Sequence, residues 1–261
     1  MGTNQKKMGW CLGGCGCLLA LLVLALITGL IGAPSSDDGS GDGEVYFDEP
    51  VEIPLDEEMA GAETSLARNF YFIFDGSGSM ENEPRGACSG DQRSDSKLEG
   101  AQWAVKEFLA KVPEDVHLGL YVFDRDVRQE VVALGAGNRD QFLAAVNRIR
   151  AGGGTPLAPA IELGTDRLVE QYKRQLGYGE YRLVVVTDGR ADKIPEAARY
   201  AARFGMPIYA IGLCIEDDHP LRRYAVSYRA ADSFDDLAQG LEETLAELPT
   251  FDATEFEAHT E

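Results

Sequence analysis

The run Leu183-Val184-Val185-Val186 is continuous, apolar and largely β-branched, and it stops at Thr187-Asp188-Gly189. No other segment limits the fold so tightly. A strand without polar alternation has to be buried on both faces, which requires a sheet covered by helices on each side. Residues 70–74 form a second run of this kind, ending at Asp75, and residues 118–123, 129–134 and 208–213 read as further strands, with a weak one near Tyr228. The short link at 124–128 predicts a hairpin.

Helical periodicity fills the gaps. Ser96-Lys97-Leu98-Glu99 is a capping box, after which Leu98, Ala101, Val105, Phe108 and Val112 recur on one face. Asn138 is expected to cap a helix carrying Phe142, Val146 and Ile149 that ends at Gly152-Gly153-Gly154. Thr155-Pro156 opens the next, with proline at the first helical position, running to about Leu176. Residues 195–204 and a stripe of Phe234, Leu237, Leu241, Leu245 and Leu248 complete the set. Such alternation predicts an α/β fold: a doubly wound, mostly parallel sheet with helices on both faces.

The ends of the chain differ from its middle. Residues 8–36 carry no charged side chain, and a run of about 20 apolar residues spans a bilayer core of ~30 Å. Ile31 stands where a signal-peptide cleavage site needs a small residue, which favours an uncleaved anchor over residues 10–33. Lys6 and Lys7 precede it, and the first base after it is Arg68, so residues 1–9 are expected in the cytoplasm and the remainder outside. Residues 34–67 lack Lys and Arg and read as an acidic, solvated tether whose apolar pieces at 45–47 and 51–55 are candidates for packing on the domain; residues 250–261 form a short acidic tail. The folded domain is then 68–249. With 44 acids against 24 bases the net charge is −20, which repels nucleic acid and attracts cations and basic partners. Beyond the expected span the cysteines are Cys88 and Cys214; they can pair in an oxidising compartment, but spacing alone does not decide it.

Ligands of doubly wound sheets bind beyond the carboxyl ends of the strands. Three loops with compact oxygen donors are candidates for that edge. Asp75, Ser77 and Ser79 alternate with glycines, which lets one tight loop aim three oxygens at one spot; Thr155 follows a glycine run, and Asp188 ends the Leu183 strand. Five oxygen donors, two of them charged, suit hard and nearly octahedral Mg²⁺, with Mn²⁺ as a substitute.

Phe72-Ile-Phe-Asp-Gly-Ser-Gly-Ser-Met80, Gly153-Gly-Thr-Pro-Leu157 and Val185-Val-Thr-Asp-Gly189 together resemble the metal-ion-dependent adhesion site of the von Willebrand factor A family. The resemblance covers residues 68–248. It implies a six-stranded, Rossmann-like sheet in the order 3-2-1-4-5-6 with the third, edge strand antiparallel. It also implies that Ser77, Ser79 and Thr155 touch the metal, that Asp75 and Asp188 act mostly through water, and that a protein partner's Asp or Glu completes the shell. In that strand order the strands preceding Cys88 and Cys214 have one strand between them, about 10 Å between ends, which the long loop at 81–95 has the length to close. The same loop lies where a partner would approach.

Enzyme readings fare worse. A haloacid-type phosphatase needs an Asp two residues after the first, where this chain has Ser77; there is no G-x-x-x-x-G-K-[ST] loop and no nucleophile elbow. His117, His219 and His259 read as bystanders. The expectation is a membrane-anchored binding protein, with a metal-independent structural component as the alternative.

Overall fold

The computed structural model describes residues 50–55, 62–85, 88, 94–215 and 219–246. The expected span at 10–33, part of the acidic tether and the tail at 250–261 lie outside the described residues. Among the described residues no helix is long and apolar enough to cross a membrane.

Six strands form one sheet: β1 (Arg68–Asp75), β2 (His117–Phe123), β3 (Arg128–Gly135), β4 (Glu180–Thr187), β5 (Ile208–Leu213) and β6 (Ser227–Ala231). Their order is β3-β2-β1-β4-β5-β6, and every neighbouring pair is parallel except β2 with β3. The helices are α1 (Lys97–Lys111), α2 (Arg139–Val146), α3 (Leu157–Arg174), α4 (Ile194–Arg203) and α5 (Phe234–Glu243). The expected architecture, including the antiparallel edge, is the observed one.

The two central strands carry continuous apolar runs, residues 70–74 on β1 and 183–186 on β4, because both their faces are covered. On β1, Phe70, Phe72 and Phe74 point into a core with α1, α2 and α5, while Tyr71 and Ile73 point into a second core with α3 and α4. Phe72 sits between the rings of Phe108 and Phe142, with centroids 5.6 and 5.2 Å away. Burying a side chain of this size stabilises the fold by about 2–3 kcal/mol. Before the sheet, Val51 N–H donates to Arg203 O at 2.7 Å and Ile53 packs against the second core.

Three helix ends depart from the sequence reading. Asn138 occupies the N-cap of α2, yet its side chain makes no cap bond; Nδ2 donates instead to Leu118 O and Ala133 O, fastening the helix to β2 and β3. α2 also stops at Val146, well short of the glycines, and Pro156 takes the cap position of α3 rather than its first turn. The cause is tertiary: Arg150 N–H donates to Asp124 Oδ2 and Gly152 N–H to Gly76 O, so residues 147–154 follow the neighbouring loops instead of the helix.

Candidate functional site

Because β1 lies between β2 and β4, the loops leaving these strands meet at one point of the carboxyl edge. Asp75 ends β1 opposite Phe123, and Gly76 N–H donates to Phe123 O at 2.8 Å, turning the chain over the end of β2. A Cβ on Gly76 would stand 2.6 Å from Ile149 Cγ2 and 2.8 Å from Asp124 Cβ, so only glycine fits. The chain then makes a short 3-10 turn, Gly78–Glu81, anchored by buried Met80.

The loop carrying Thr155 is stitched to this turn by backbone bonds from Gly152 N to Gly76 O (2.9 Å) and from Gly78 N to Gly153 O (3.1 Å). Gly153 has φ of 79°, a left-handed conformation that a side chain disfavours. The third loop follows β4 and brings Thr187 and Asp188.

All five residues singled out from the sequence converge. Asp75 accepts from Ser77 N–H (2.8 Å) and from the Thr187 hydroxyl (2.6 Å). Ser77 and Ser79 hydroxyls lie 3.1 Å apart, and Ser79 donates to Asp188 Oδ1 at 2.6 Å. Thr155 closes the other side: the point where a Cβ on Gly189 would stand is 3.7 Å from Thr155 Oγ1 and 3.9 Å from Ser79 Oγ. Glycine at 189 leaves that space to the oxygens. Asp75 is fully buried, and burial pushes its carboxyl up to about 6, against the hydrogen bonds from Ser77 and Thr187 that pull it down; the nearby Asp188 charge adds to the rise.

Two contributors were missed. Lys97 Nζ lies 2.8 Å from Asp188 Oδ2, with the lysine side chain 13% exposed and the aspartate side chain 0%. The one local signal is weak: a cation at the first position of a helix opposes the helix dipole, by under about 1 kcal/mol at a surface. His219, expected to be a bystander, is buried with Nε2 3.0 Å from Gly189 O. Its Nδ1 accepts from Leu221 N–H, so Nε2 carries the proton and donates to Gly189 O, steadying the loop after Asp188.

Cys88 and Cys214 form a disulfide, with Cα atoms 5.3 Å apart. The loop after β1 is thereby tied to the end of β5, across β4. Among the described residues no three His, Cys, Asp or Glu side chains cluster as a metal site. The convergent set is built on hydroxyls, with two carboxylates.

An open, doubly wound α/β sheet with a hydroxyl-rich loop cluster at its carboxyl edge defines the class. The chain belongs to the von Willebrand factor type A domain family, which it matches over residues 69–246. It is similar to human Collagen alpha-1(XX) chain, with 32% identity over 132 residues; that stretch is 46% of this chain and only 10% of the collagen chain's length. Its fold is similar to that of the pilus adhesin SpaC from Lactobacillus rhamnosus GG (TM-score 0.52, 18% identity, covering 70% of this chain and 31% of that one). A mutant of the PilB minor pilin from Streptococcus sanguinis shares it as well (TM-score 0.51, 13% identity, 69% and 61% covered).

Proposed function

We propose that the loop cluster is a metal-ion-dependent adhesion site holding Mg²⁺, with Mn²⁺ as an effective substitute, and that the chain binds a protein partner through it rather than catalysing a reaction. Ser77, Ser79 and Thr155 supply hydroxyl ligands, while Asp75 and Asp188 balance charge and act mostly through water. The observation that carries this reading is the run of contacts Ser77–Ser79–Asp188, at 3.1 and 2.6 Å, with Thr155 facing the same space beside Gly189. An all-oxygen set suits a hard cation, and the bare Gly189 leaves room for its water. The bound ion would polarise a carboxylate presented by the partner, and the two buried aspartates leave it enough positive charge to do so.

The partner then carries an exposed Asp or Glu set among neutral or basic residues, which a chain of net charge −20 tolerates. The disulfide supports an oxidising compartment for the domain. That agrees with a single-pass anchor at residues 10–33 that leaves residues 1–9 in the cytoplasm and the domain outside. Adhesion, the role that SpaC's name states for that protein, is one form such binding takes.

The test is crosslinked capture of surface proteins by the full chain in Mg²⁺, in chelator, and with Thr155→Ala. Partner recovery should need the metal and fall with the variant. Equal recovery in chelator would place binding on another face and support a metal-independent structural role.

A further inference from the structure

Lys97 is a base in direct contact with one of the cluster's carboxylates, that of Asp188. Asp188 uses Oδ1 to accept from Ser79 and Oδ2 to hold Lys97 Nζ at 2.8 Å, so its carboxylate is fully engaged without any metal. The pair is almost dry, and the ammonium sits at the N-terminus of α1, where the helix dipole opposes it. What keeps it there is the carboxylate of Asp188, whose negative charge the nearby Asp75 reinforces.

We infer that Lys97 is a tethered counter-cation that competes with the divalent ion for Asp188 and sets how tightly the site loads. The inference rests on the metal reading above. With Lys97 in place the two ionised carboxylates and the ammonium sum to −1, and a dication takes the cluster to +1; without Lys97 the same dication takes it to neutrality. Like charges this close in a poorly solvated pocket repel strongly, so loading requires the ammonium to leave Oδ2. Its four-carbon stem lets the head swing toward solvent while the stem stays packed. A lysine with a purely structural role would behave differently: its loss would cost the same stability with and without metal and would leave affinity unchanged.

The experiment titrates Mn²⁺ into the full chain by calorimetry, as wild type, Lys97→Met, Lys97→Gln and Lys97→Arg, with thermal melts of each in chelator and in saturating Mn²⁺. Lys97→Gln keeps a donor toward Asp188 and guards against misfolding of Lys97→Met. Either neutral variant should bind Mn²⁺ at least about tenfold more tightly, while Lys97→Arg stays near wild type. The neutral variants should also melt lower in chelator and recover in Mn²⁺. Unchanged or weaker Mn²⁺ affinity in both neutral variants overturns the inference while leaving the metal reading intact. Absence of binding in all four proteins overturns both.

Discussion

The two ends of the sheet each bury charge, and they treat it in opposite ways. At the amino end Arg182, on β4, is 3% exposed and has partners at both terminal nitrogens. It donates to Thr244 O and Ala246 O just beyond α5, pairs with Glu180 at 2.9 Å, and lies 5.2 and 5.3 Å from the ring centroids of Phe70 and Tyr209. A guanidinium among the last carbonyls of a helix is also favoured by the dipole. At the carboxyl end there are two carboxylates and one ammonium, which pairs with Asp188, while buried Asp75 has its carboxyl pushed up to about 6 by burial. The first arrangement is complete without any ligand; the second is left with negative charge in excess, which attracts a further cation. Satisfied buried charge marks structure, and surplus buried charge marks a place for something to bind.

The largest effect should come from the satisfied end. Arg182→Met strips partners from buried carbonyls and Glu180, and is expected to cost about 3–5 kcal/mol in urea unfolding. The loss should be equal with and without Mn²⁺; a loss confined to one condition would mean that the two ends are coupled. Next is the disulfide, which closes a loop with a sequence separation of 126. Replacing both Cys88 and Cys214 with serine should cost about 2–4 kcal/mol while Mn²⁺ affinity stays within about twofold. A much weaker Mn²⁺ titration would make the β1–α1 loop part of the metal site itself.

The site residues should respond with the opposite sign. In chelator at neutral pH, Asp75→Asn removes a charge that burial penalises, and should raise stability by about 1–2 kcal/mol while abolishing the response to Mn²⁺. Destabilisation in chelator would show that the carboxylate is structural, like Arg182. The smallest effect is expected from Gly189→Ala. Its methyl would meet Thr155 and Ser79 oxygens at ordinary contact distances of 3.7 and 3.9 Å, so stability should change by under about 1 kcal/mol. Mn²⁺ affinity should nevertheless weaken severalfold, because the methyl takes space from the ion's water; undiminished affinity would move the site away from Gly189.

This contrast also governs how much was legible in the chain. Residues 183–186 and 70–74 announce buried parallel strands through continuous apolar runs, and the five oxygen residues stand out by spacing and glycine neighbours. Lys97 was hidden because its partner is 91 residues away, and a capping box explains the segment without reference to Asp188. Arg182 stands beside an apolar run, and nothing local says that the end of α5 returns to it. Asn138 was read as a cap on local grounds, but its Nδ2 donates to the carbonyls of Leu118 and Ala133, and in that orientation its Oδ1 accepts no cap bond from the helix. Local signals carry the elements and a motif's spacing; contacts across the sheet decide which charges are paired and which remain.

The central claim is that a divalent cation is held by these hydroxyls and carboxylates, rather than by the acidic surface of a chain with net charge −20. Calorimetric titration of Mn²⁺ into the full chain, beside the double variant Ser77→Ala and Ser79→Ala, separates the two, because the variant keeps every charge. One saturable site in the wild type that disappears in the variant is the predicted result. Equal heats from both proteins would contradict the account.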